Sequence, residues 1–599
     1  MLFRDMSKLK IRIRDMTLLA LLVLAMALPG LGLFGQGLPV IDRDEARYAQ
    51  ATVQMLESGD YINIRFQDRA RNKKPVGAYW AQALSVKTFS DVKNRDIWAH
   101  RIPSVLAAIL AILATYWGGV RMLGRESAFY GSALLAVSFI FVFEAHIAKT
   151  DALLLGFSAL VLASMGHLRN GGGRRSGVLF WFALGCAVMI KGPILPMLLV
   201  LCFLSLFIWE RLIGKQKTGW MKPLAYPLGP LLFLLIVLPW SIMIWRETGG
   251  AFFSDAIGND LAPKLQGAQE KHPGPPGYYL GTLWLAFWPA CLFLIPGLVF
   301  AVRAARSKKL GDKRLEFNMP VARSARLLLC WSIPFFVVLE FVPTKLPHYT
   351  LITYPAFALM AGAAVATMSK VNEFTLTKRI SAVIFAVISI ALVIVILFSQ
   401  TYYGTFPTWE FAVMGAAIIT SLFAAFSLWD NQARRAFLGA LITSALITIP
   451  TYQFILPSLE KLNIAGMMET AFHKNGVSLP VKNTTVLSTQ FSEPSLVYRL
   501  GTEILLGKPK ERITTLDMKV GDIVILDRVR KETTLHEADI IKKLAAQNLC
   551  LTSLQIVEGF NYAKGDEVKL DILRTETCPE APSSTLSKGS ESTTTKPDP

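Results

Sequence analysis

The sequence predicts an α-helical polytopic membrane protein that ends in a small α/β domain outside the cytoplasm. Three observations carry this. Of 599 residues, 53% are hydrophobic and 18% charged, with mean hydropathy +0.43, too apolar a balance for a soluble chain. Apolar runs close to the length that crosses a bilayer recur along residues 1–457, and they number about thirteen. Between them, every second connector is rich in Lys and Arg.

The runs lie near 16–37, 101–120, 127–144, 151–168, 177–191, 192–209, 225–245, 278–302, 326–342, 349–369, 380–399, 410–429 and 436–456. The first follows the basic start "RDMSKLKIRIR" and continues without a small-residue cleavage site, so a retained helix is expected rather than a signal peptide. Only "KGP" separates the fifth and sixth. "RMLGRE", "RNGGGRRS", "ERLIGKQKTGWMK", "RAARSKKLGDKR", "KVNEFTLTKR" and "DNQARR" join the basic start on the cytoplasmic side. The alternate connectors then face outward, among them the long loop 38–100, "EAHIAKTD", "IKGP", "KHPGPPGY" and "PTKLPHY". An odd number of spans carries everything after residue 457 to the outer face. The net charge of +19 is thus spread over connectors rather than gathered in a patch, and no nucleic-acid partner is expected.

Beyond the spans the character changes. "TTVLSTQF", "VGDIVILD" and "EVKLDILR" read as β-branched strands and "HEADIIKKLAAQN" as a helix, giving an α/β domain over 458–575. The Ser/Thr/Pro-rich end, 576–599, is expected to be disordered. Cys186, Cys202, Cys291 and Cys330 lie inside apolar runs as packing residues. Cys550 and Cys578 are able to pair if their domain is extracytoplasmic, although spacing alone does not decide it. No Cys/His cluster has metal-ligand spacing, so no visible ligand set requires a divalent metal and the sequence points to no particular cofactor.

The outer connectors hold few charges, and these sit in short turns at helix ends. Ionisable groups so close to a bilayer are costly, and converging turns would build one polar pocket beside it. In loop 38–100, "DRDEARYAQATVQML" reads as an amphipathic helix whose Ala46, Ala49, Val53 and Leu56 form a face suited to the membrane surface. Asp42 and Asp44 stand where a carboxylate caps free N–H groups.

The stretch "DEARYAQATVQMLESGDY…KKPVGAYW" resembles the first outer loop of lipid-phosphate-dependent glycosyltransferases of the GT-C fold. The aminoarabinose transferases of lipid A and the protein O-mannosyltransferases are the nearest in pattern. "AKTDALLLGF", "MIKGPI", "HPGPPGYYL…FWP" and "TKLPHYTLITYPAFAL" follow in the family's order, each at an outer connector. The resemblance runs to about residue 360 and weakly into "FSEPSLVYRLG". It implies transfer of a sugar from a polyprenyl phosphate donor, a reaction that needs cations for the departing phosphate and a carboxylate facing the acceptor.

On this resemblance Asp44 matches the loop aspartate, and Arg47 and Tyr48 match residues lining the donor-phosphate pocket. Lys74 matches the phosphate-binding lysine, although a snorkelling interfacial lysine would look the same. Asp151 is implied as a second acceptor-side carboxylate or a helix cap. Lys191, a lone charge in an apolar hairpin, is implied as a phosphate contact, as are Lys345 and Tyr349 in "TKLPHY". His272 is either loop structure or part of the site. Two departures stand out. Lys73 replaces the carboxylate of the family's "EKP", which adds positive charge and casts doubt on aminoarabinose as the sugar. His146 stands where the family pattern has an arginine.

The expected function is therefore transfer of a sugar from a polyprenyl-phosphate donor to lipid A or another envelope glycolipid. The expected place is the periplasmic face of a bacterial inner membrane, with membrane lipids as further partners and the N-terminus in the cytoplasm. A protein hydroxyl as acceptor, as in O-mannosyltransferases, is the alternative within the class. A lipid-linked sugar flippase would need midplane charges and inverted repeats, which the sequence does not show.

Overall fold

The computed structural model describes residues 12–33, 37–213, 218–267, 273–307, 319–370, 374–404, 408–507, 517–529 and 533–579. Its first ten long or site-bearing helices are α1 Ile13–Ala27, α2 Arg43–Ser58, α3 Gly77–Phe89, α4 Ile97–Leu123, α5 Arg125–Ala136, α6 Phe139–Ala145, α7 Thr150–Arg169, α8 Arg174–Lys191, α9 Ile194–Ile213 and α10 Leu228–Thr248. Among the described residues nine helices are long and apolar enough to cross a membrane, or eleven when two bent pairs each count as one span. The other two apolar runs form α1, of 15 residues, and α8, which carries Arg174, Arg175 and Lys191 at its ends. Each of the thirteen runs contributes helix among the described residues, and the chain is a multi-pass membrane protein.

The two bends have one physical cause in common. α5 and α6 meet at 62° around Val137 and Ser138, and Tyr278–Ala286 meets Ala290–Arg306 at 110° around Trp288 and Pro289. A helix broken in an apolar medium must find new partners for its freed backbone groups. Here one break serves the other: Phe139 N donates to Trp288 O at 2.7 Å, and Ser444 Oγ donates to Val137 O at 2.8 Å.

The span Pro347–Met368 is buried from Thr350 onward, whereas α10 and Thr375–Tyr403 expose most of their apolar surface, as lipid-facing helices do. Close helix contact depends on small residues. A Cβ at Gly362 would lie 2.2 Å from Ser127 O and 2.3 Å from Gly131 N, so no larger side chain fits that crossing.

At the outer end, α2 starts at Asp42, whose Oδ1 accepts from Glu45 N at 2.8 Å, a plain N-cap. The expectation that its small-residue face rests on the membrane is corrected. Ala46, Ala49 and Val53 are fully buried with Val40, Ile97, Ala148 and Tyr498, so protein covers that face. A short hairpin, β1 Arg65–Phe66 and β2 Arg69–Ala70, follows α2.

The C-terminal domain holds a five-stranded sheet of β3 Val486–Ser488, β4 Leu505–Leu506, β5 Ile523–Asp527, β6 Leu549–Phe560 and β7 Glu567–Thr577, in the order β4-β3-β5-β7-β6. β3 runs parallel to β4 and β5, and β7 antiparallel to β5 and β6. Cys550 and Cys578 form a disulfide joining the start of β6 to the end of β7. β7 thus extends past residue 576, and the Ser/Thr/Pro-rich stretch from 580 lies outside the described residues. The domain docks on α2 through Arg95, whose Nη1 donates to Gln50 Oε1 at 2.9 Å and Tyr498 O at 2.7 Å, and through the ion pair Arg43–Glu493 at 2.9 Å.

Candidate active site

The connectors expected to face outward meet over a cleft between α7, α9, the helix Met319–Phe341 and the turn Pro347–Thr353. It encloses about 1490 Å³, part of it open to solvent. One wall is apolar: Leu154 of α7, Ile194, Met197 and Leu201 of α9, and Phe335 and Val338 opposite. Successive α9 positions there are three or four residues apart, which places them on one face. The other wall is charged, with Asp44, Arg71, Lys74, Lys149, Asp151 and Lys191.

Three ion-pair groups hold the charges. At the start of α2, Asp44 Oδ1 lies 3.2 Å from Arg47 Nη1 and 3.7 Å from Arg71 Nη2. Burial pushes the Asp44 carboxyl up, but Arg71, Arg47 and Lys149 outweigh it and hold it at about 2. Arg71 Nε also donates to Tyr79 Oη at 3.2 Å and its guanidinium lies 5.2 Å from the Tyr48 ring centroid. Tyr48 and Tyr79 stack at 4.9 Å, and burial pushes both phenols up, so they stay protonated.

The second group sits across the cleft mouth. Lys74 Nζ is 2.5 Å from Asp260 Oδ2, and Lys264 Nζ is 2.8 Å from Asp260 Oδ1, so one carboxylate holds two ammonium groups. Burial, joined by Lys264 and Lys191 and opposed by Asp260, brings Lys74 down to about 8.

The third lies deepest. Lys191 Nζ is 2.5 Å from Asp151 Oδ1 and 5.7 Å from the Tyr349 ring centroid. The His348 ring nitrogens lie 3.9 Å from Asp151 and 3.7 Å from the buried Glu144, beyond hydrogen-bond distance. Lys149 pairs with Glu144 at 3.1 Å and Asp42 at 3.7 Å. Burial opposes its charge, yet Glu144, Asp42 and Asp151 raise the Lys149 ammonium above its ordinary value.

The sequence candidates thus fall into three sets. Asp44, Tyr48, Lys74, Asp151, Lys191 and Tyr349 line the cleft, and Arg47 reaches it through Asp44. Lys345 does not. Its Nζ donates to Leu339 O at 2.8 Å and Glu340 O at 2.7 Å, capping the carbonyl end of Met319–Phe341, with only 1% of the side chain exposed. The assignment of Lys345 to phosphate binding is corrected accordingly. His272 lies outside the described residues. His146 is structural, its two ring nitrogens each 2.7 Å from a carbonyl, of Val142 and of Pro29.

Sequence reasoning missed Arg71, Glu144, Lys149, Asp260 and Lys264, and left His348 unassigned. Glu144 carried a signal, as a lone acid in the apolar run "FIFVFEA". Asp260 and Lys264 carried a weaker one, the i,i+4 spacing of an acid and a base. Among the described residues no group of three or more His, Cys, Asp or Glu side chains is placed to share a metal ion.

Over 94% of its length the chain superposes on the crystal structure of ArnT from Cupriavidus metallidurans in the apo state, covering 97% of that chain with a TM-score of 0.67 at 16% identity. The same protein bound to undecaprenyl phosphate matches with a TM-score of 0.65 at 18% identity, covering 93% of this chain and 97% of that one. The chain has the GT-C fold. Archaeoglobus fulgidus oligosaccharyltransferase is a more distant neighbour, with a TM-score of 0.52 at 10% identity over 86% of this chain and 69% of that one.

The family model for dolichyl-phosphate-mannose-protein mannosyltransferase matches residues 16–248, which hold all three ion-pair groups except Asp260, Lys264 and His348. Among curated proteins, an undecaprenyl phosphate-alpha-4-amino-4-deoxy-L-arabinose arabinosyl transferase of Pseudomonas aeruginosa is 29% identical over 252 residues, 41% of this chain and 44% of its own. A second transferase of that description, from Pseudomonas fluorescens, is 25% identical over 363 residues, 60% of this chain and 58% of its own. The matches therefore span about half the length of these curated relatives.

Proposed function

We propose that the protein transfers a sugar from a polyprenyl-phosphate donor to lipid A or another envelope glycolipid on the periplasmic face of a bacterial inner membrane. One observation carries this reading: ammonium groups line the charged wall of an apolar groove walled by α9 and Met319–Phe341, with Lys74 and Lys264 at its mouth and Lys191 deeper inside. A polyprenyl phosphate has that shape and chemistry, a long apolar chain ending in an anion. The similarity to aminoarabinosyl transferases supports the same class of donor.

The chemistry follows from the charges. The acceptor oxygen bonds to the sugar C1 while the bond from C1 to the phosphate oxygen breaks, and the electron pair leaves with the phosphate. The three ammonium groups stabilise that growing negative charge, a contribution of about 10²–10³ in rate for one well-placed donor. A carboxylate held near 2 is a poor proton acceptor at neutral pH, so Asp44 orients the acceptor and balances positive charge at C1. A phosphate acceptor is already anionic, and a hydroxyl acceptor releases its proton to water at the cleft mouth.

A protein hydroxyl as acceptor is the second reading, favoured by the family model that matches residues 16–248. The test is transfer of label from an undecaprenyl-phosphate sugar by the purified protein in lipid nanodiscs, with lipid A or a Ser/Thr-rich peptide as acceptor. Wild type is expected to label lipid A, and Lys74→Ala and Asp44→Asn each to lose about a hundredfold or more in rate. Wild-type rates in both variants would remove the proposal.

A further inference from the structure

Far from the cleft, buried hydrogen-bond donors without acceptors gather at one corner of the helical bundle. α7 runs from Asp151 at the cleft to Arg169 at its other end, about 27 Å along the helix. The other two helices of the groove reach the same corner. α9 brings Trp209 and Glu210 in its last turn, and Met319–Phe341 brings Arg323 and Arg326 near its start, three residues apart and so on one face. Arg169 Nη2 donates to Glu210 Oε1 at 2.6 Å, and its guanidinium lies 5.0 Å from the Trp220 ring centroid. Asn170 Nδ2 donates to Ser324 Oγ at 3.2 Å, which ties the end of α7 to the start of Met319–Phe341.

Neither charge nor hydrogen bonding balances there. Arg169 and Arg323 both press their positive charge on Arg326, and Glu210 opposes them. Among the described residues Glu210 is the one carboxylate within ion-pair distance of any of the three arginines. Arg326 Nε donates to Ala305 O at 2.9 Å, but Arg169 Nε and Nη1, Arg323 Nε and the indole N–H groups of Trp209 and Trp220 are buried with no acceptor. The Arg169 side chain is only 2% exposed. Buried donors are nearly always satisfied, and a guanidinium left short is costly. The missing partner is an anion with several acceptor oxygens, which a phosphate supplies.

The flank of α9 indicates where that phosphate comes from. Val200, Leu204, Phe207 and Ile208 are exposed along one stripe that ends at this corner. Arg323, Trp209 and Trp220 are only half-buried, so the corner is open at its rim. A free phosphate would use the donors alone, whereas a phospholipid would use the donors for its headgroup and the stripe for its chains.

We propose that this corner binds the headgroup phosphate of an anionic membrane phospholipid, at the membrane face opposite the cleft. The bound lipid joins the far ends of the three helices that wall the groove. The inference stands independently of the transferase reading.

The test is native mass spectrometry of the full-length protein released from mixed phosphatidylcholine–phosphatidylglycerol nanodiscs. Wild type is expected to retain one phosphatidylglycerol under activation that strips phosphatidylcholine. Arg323→Gln is expected to weaken that binding about tenfold or more. Arg169→Lys keeps the charge opposite Glu210 but loses the forked donors, and an equal weakening is expected. Arg434→Gln removes a cation that is 58% exposed on another connector and is expected to leave retention unchanged. Equal retention of the two phospholipids would overturn the inference, as would an equal loss in all three variants, which would assign the effect to general surface charge. Displacement of phosphatidylglycerol by inorganic phosphate would overturn it too, by making the corner a site for a free anion. Thermal unfolding in the same nanodiscs distinguishes lost binding from lost fold, and Arg323→Gln with wild-type unfolding and wild-type retention would refute the site.

Discussion

Lys74 is where the chemistry of the cleft is most sensitive. Its side chain is 23% exposed and its ammonium shares Asp260 with Lys264, while burial brings it down to about 8. The charged form holds a phosphate, so donor binding is full well below pH 8, falls as the pH passes through it and is lost above. The donor KM is expected to be flat from pH 6.5 to 7.5 and to climb about tenfold per unit above 8.5. Lys74→Arg, charged throughout that range, is expected to flatten the climb. A KM that rises equally in both proteins would assign the titration elsewhere. Lys191 was legible in the sequence because a lone cation between apolar runs is expensive and needs a task, whereas Lys74, which follows Arg69, Arg71 and Lys73, stood out only through the family resemblance and its place before Pro75. Lys345 presents the same pattern in a short outer turn, but its ammonium caps the helix carbonyls of Leu339 and Glu340. Only the turn's three-dimensional course separates the two cases. Asp260 was not legible as the partner of Lys74 because pairing across 186 residues leaves no local trace.

At the scale of elements, the hairpin β1–β2 decides where Arg71, Lys73 and Lys74 stand, and Gln67 at its turn holds it in place. Gln67 has φ +56°, a left-handed conformation that costs a non-glycine residue about 1 kcal/mol. Its surroundings impose that conformation. Gln54 of α2 donates to Gln67 O at 2.9 Å and accepts from Gln67 N at 2.8 Å. The Gln67 side chain in turn donates to Thr502 O at 3.1 Å and to Ile504 O of the C-terminal domain. Gln67→Ala keeps the fold of α2 but cuts the tie between hairpin and domain. Its donor KM is expected to rise about five- to tenfold with kcat less affected, matching one or two lost hydrogen bonds. Parallel kinetics and faster amide exchange over 65–74 would check it; unchanged KM would show that the hairpin needs no such clamp. The same scale holds the limits of the sequence reading. Run 278–302 reads in the sequence as one span although it breaks at Trp288 and Pro289, and nothing in "LLAVSFIF" marks the break at Ser138, which is stabilised by a carbonyl 149 residues away. β6 was missed because "LCLTSLQIVEGF" alternates only weakly and pairs with β7 through an irregular register.

For the whole molecule, the alternation of basic connectors was enough to place loop 38–100, "EAHIAKTD", "IKGP" and "TKLPHY" together, and the structure brings residues of all four to one cleft. What charge patterning could not show is that the C-terminal domain closes over α2. That contact is made by buried residues such as Tyr498 and Arg95, which look in the sequence like ordinary domain core and loop. The resulting architecture sets an apolar groove on one side, charged ion-pair groups beside it and the C-terminal domain bracing loop 38–100. Photo-crosslinking with a diazirine-bearing polyprenyl phosphate, read out by peptide mass spectrometry on the purified protein in nanodiscs, tests this arrangement most directly. The account predicts adducts concentrated on Ile194, Met197, Leu201, Phe335 and Val338, suppressed by excess undecaprenyl phosphate and by Lys74→Ala. Competable labelling along the lipid-facing Thr375–Tyr403 helix instead, or groove labelling that neither competitor nor variant reduces, would contradict it.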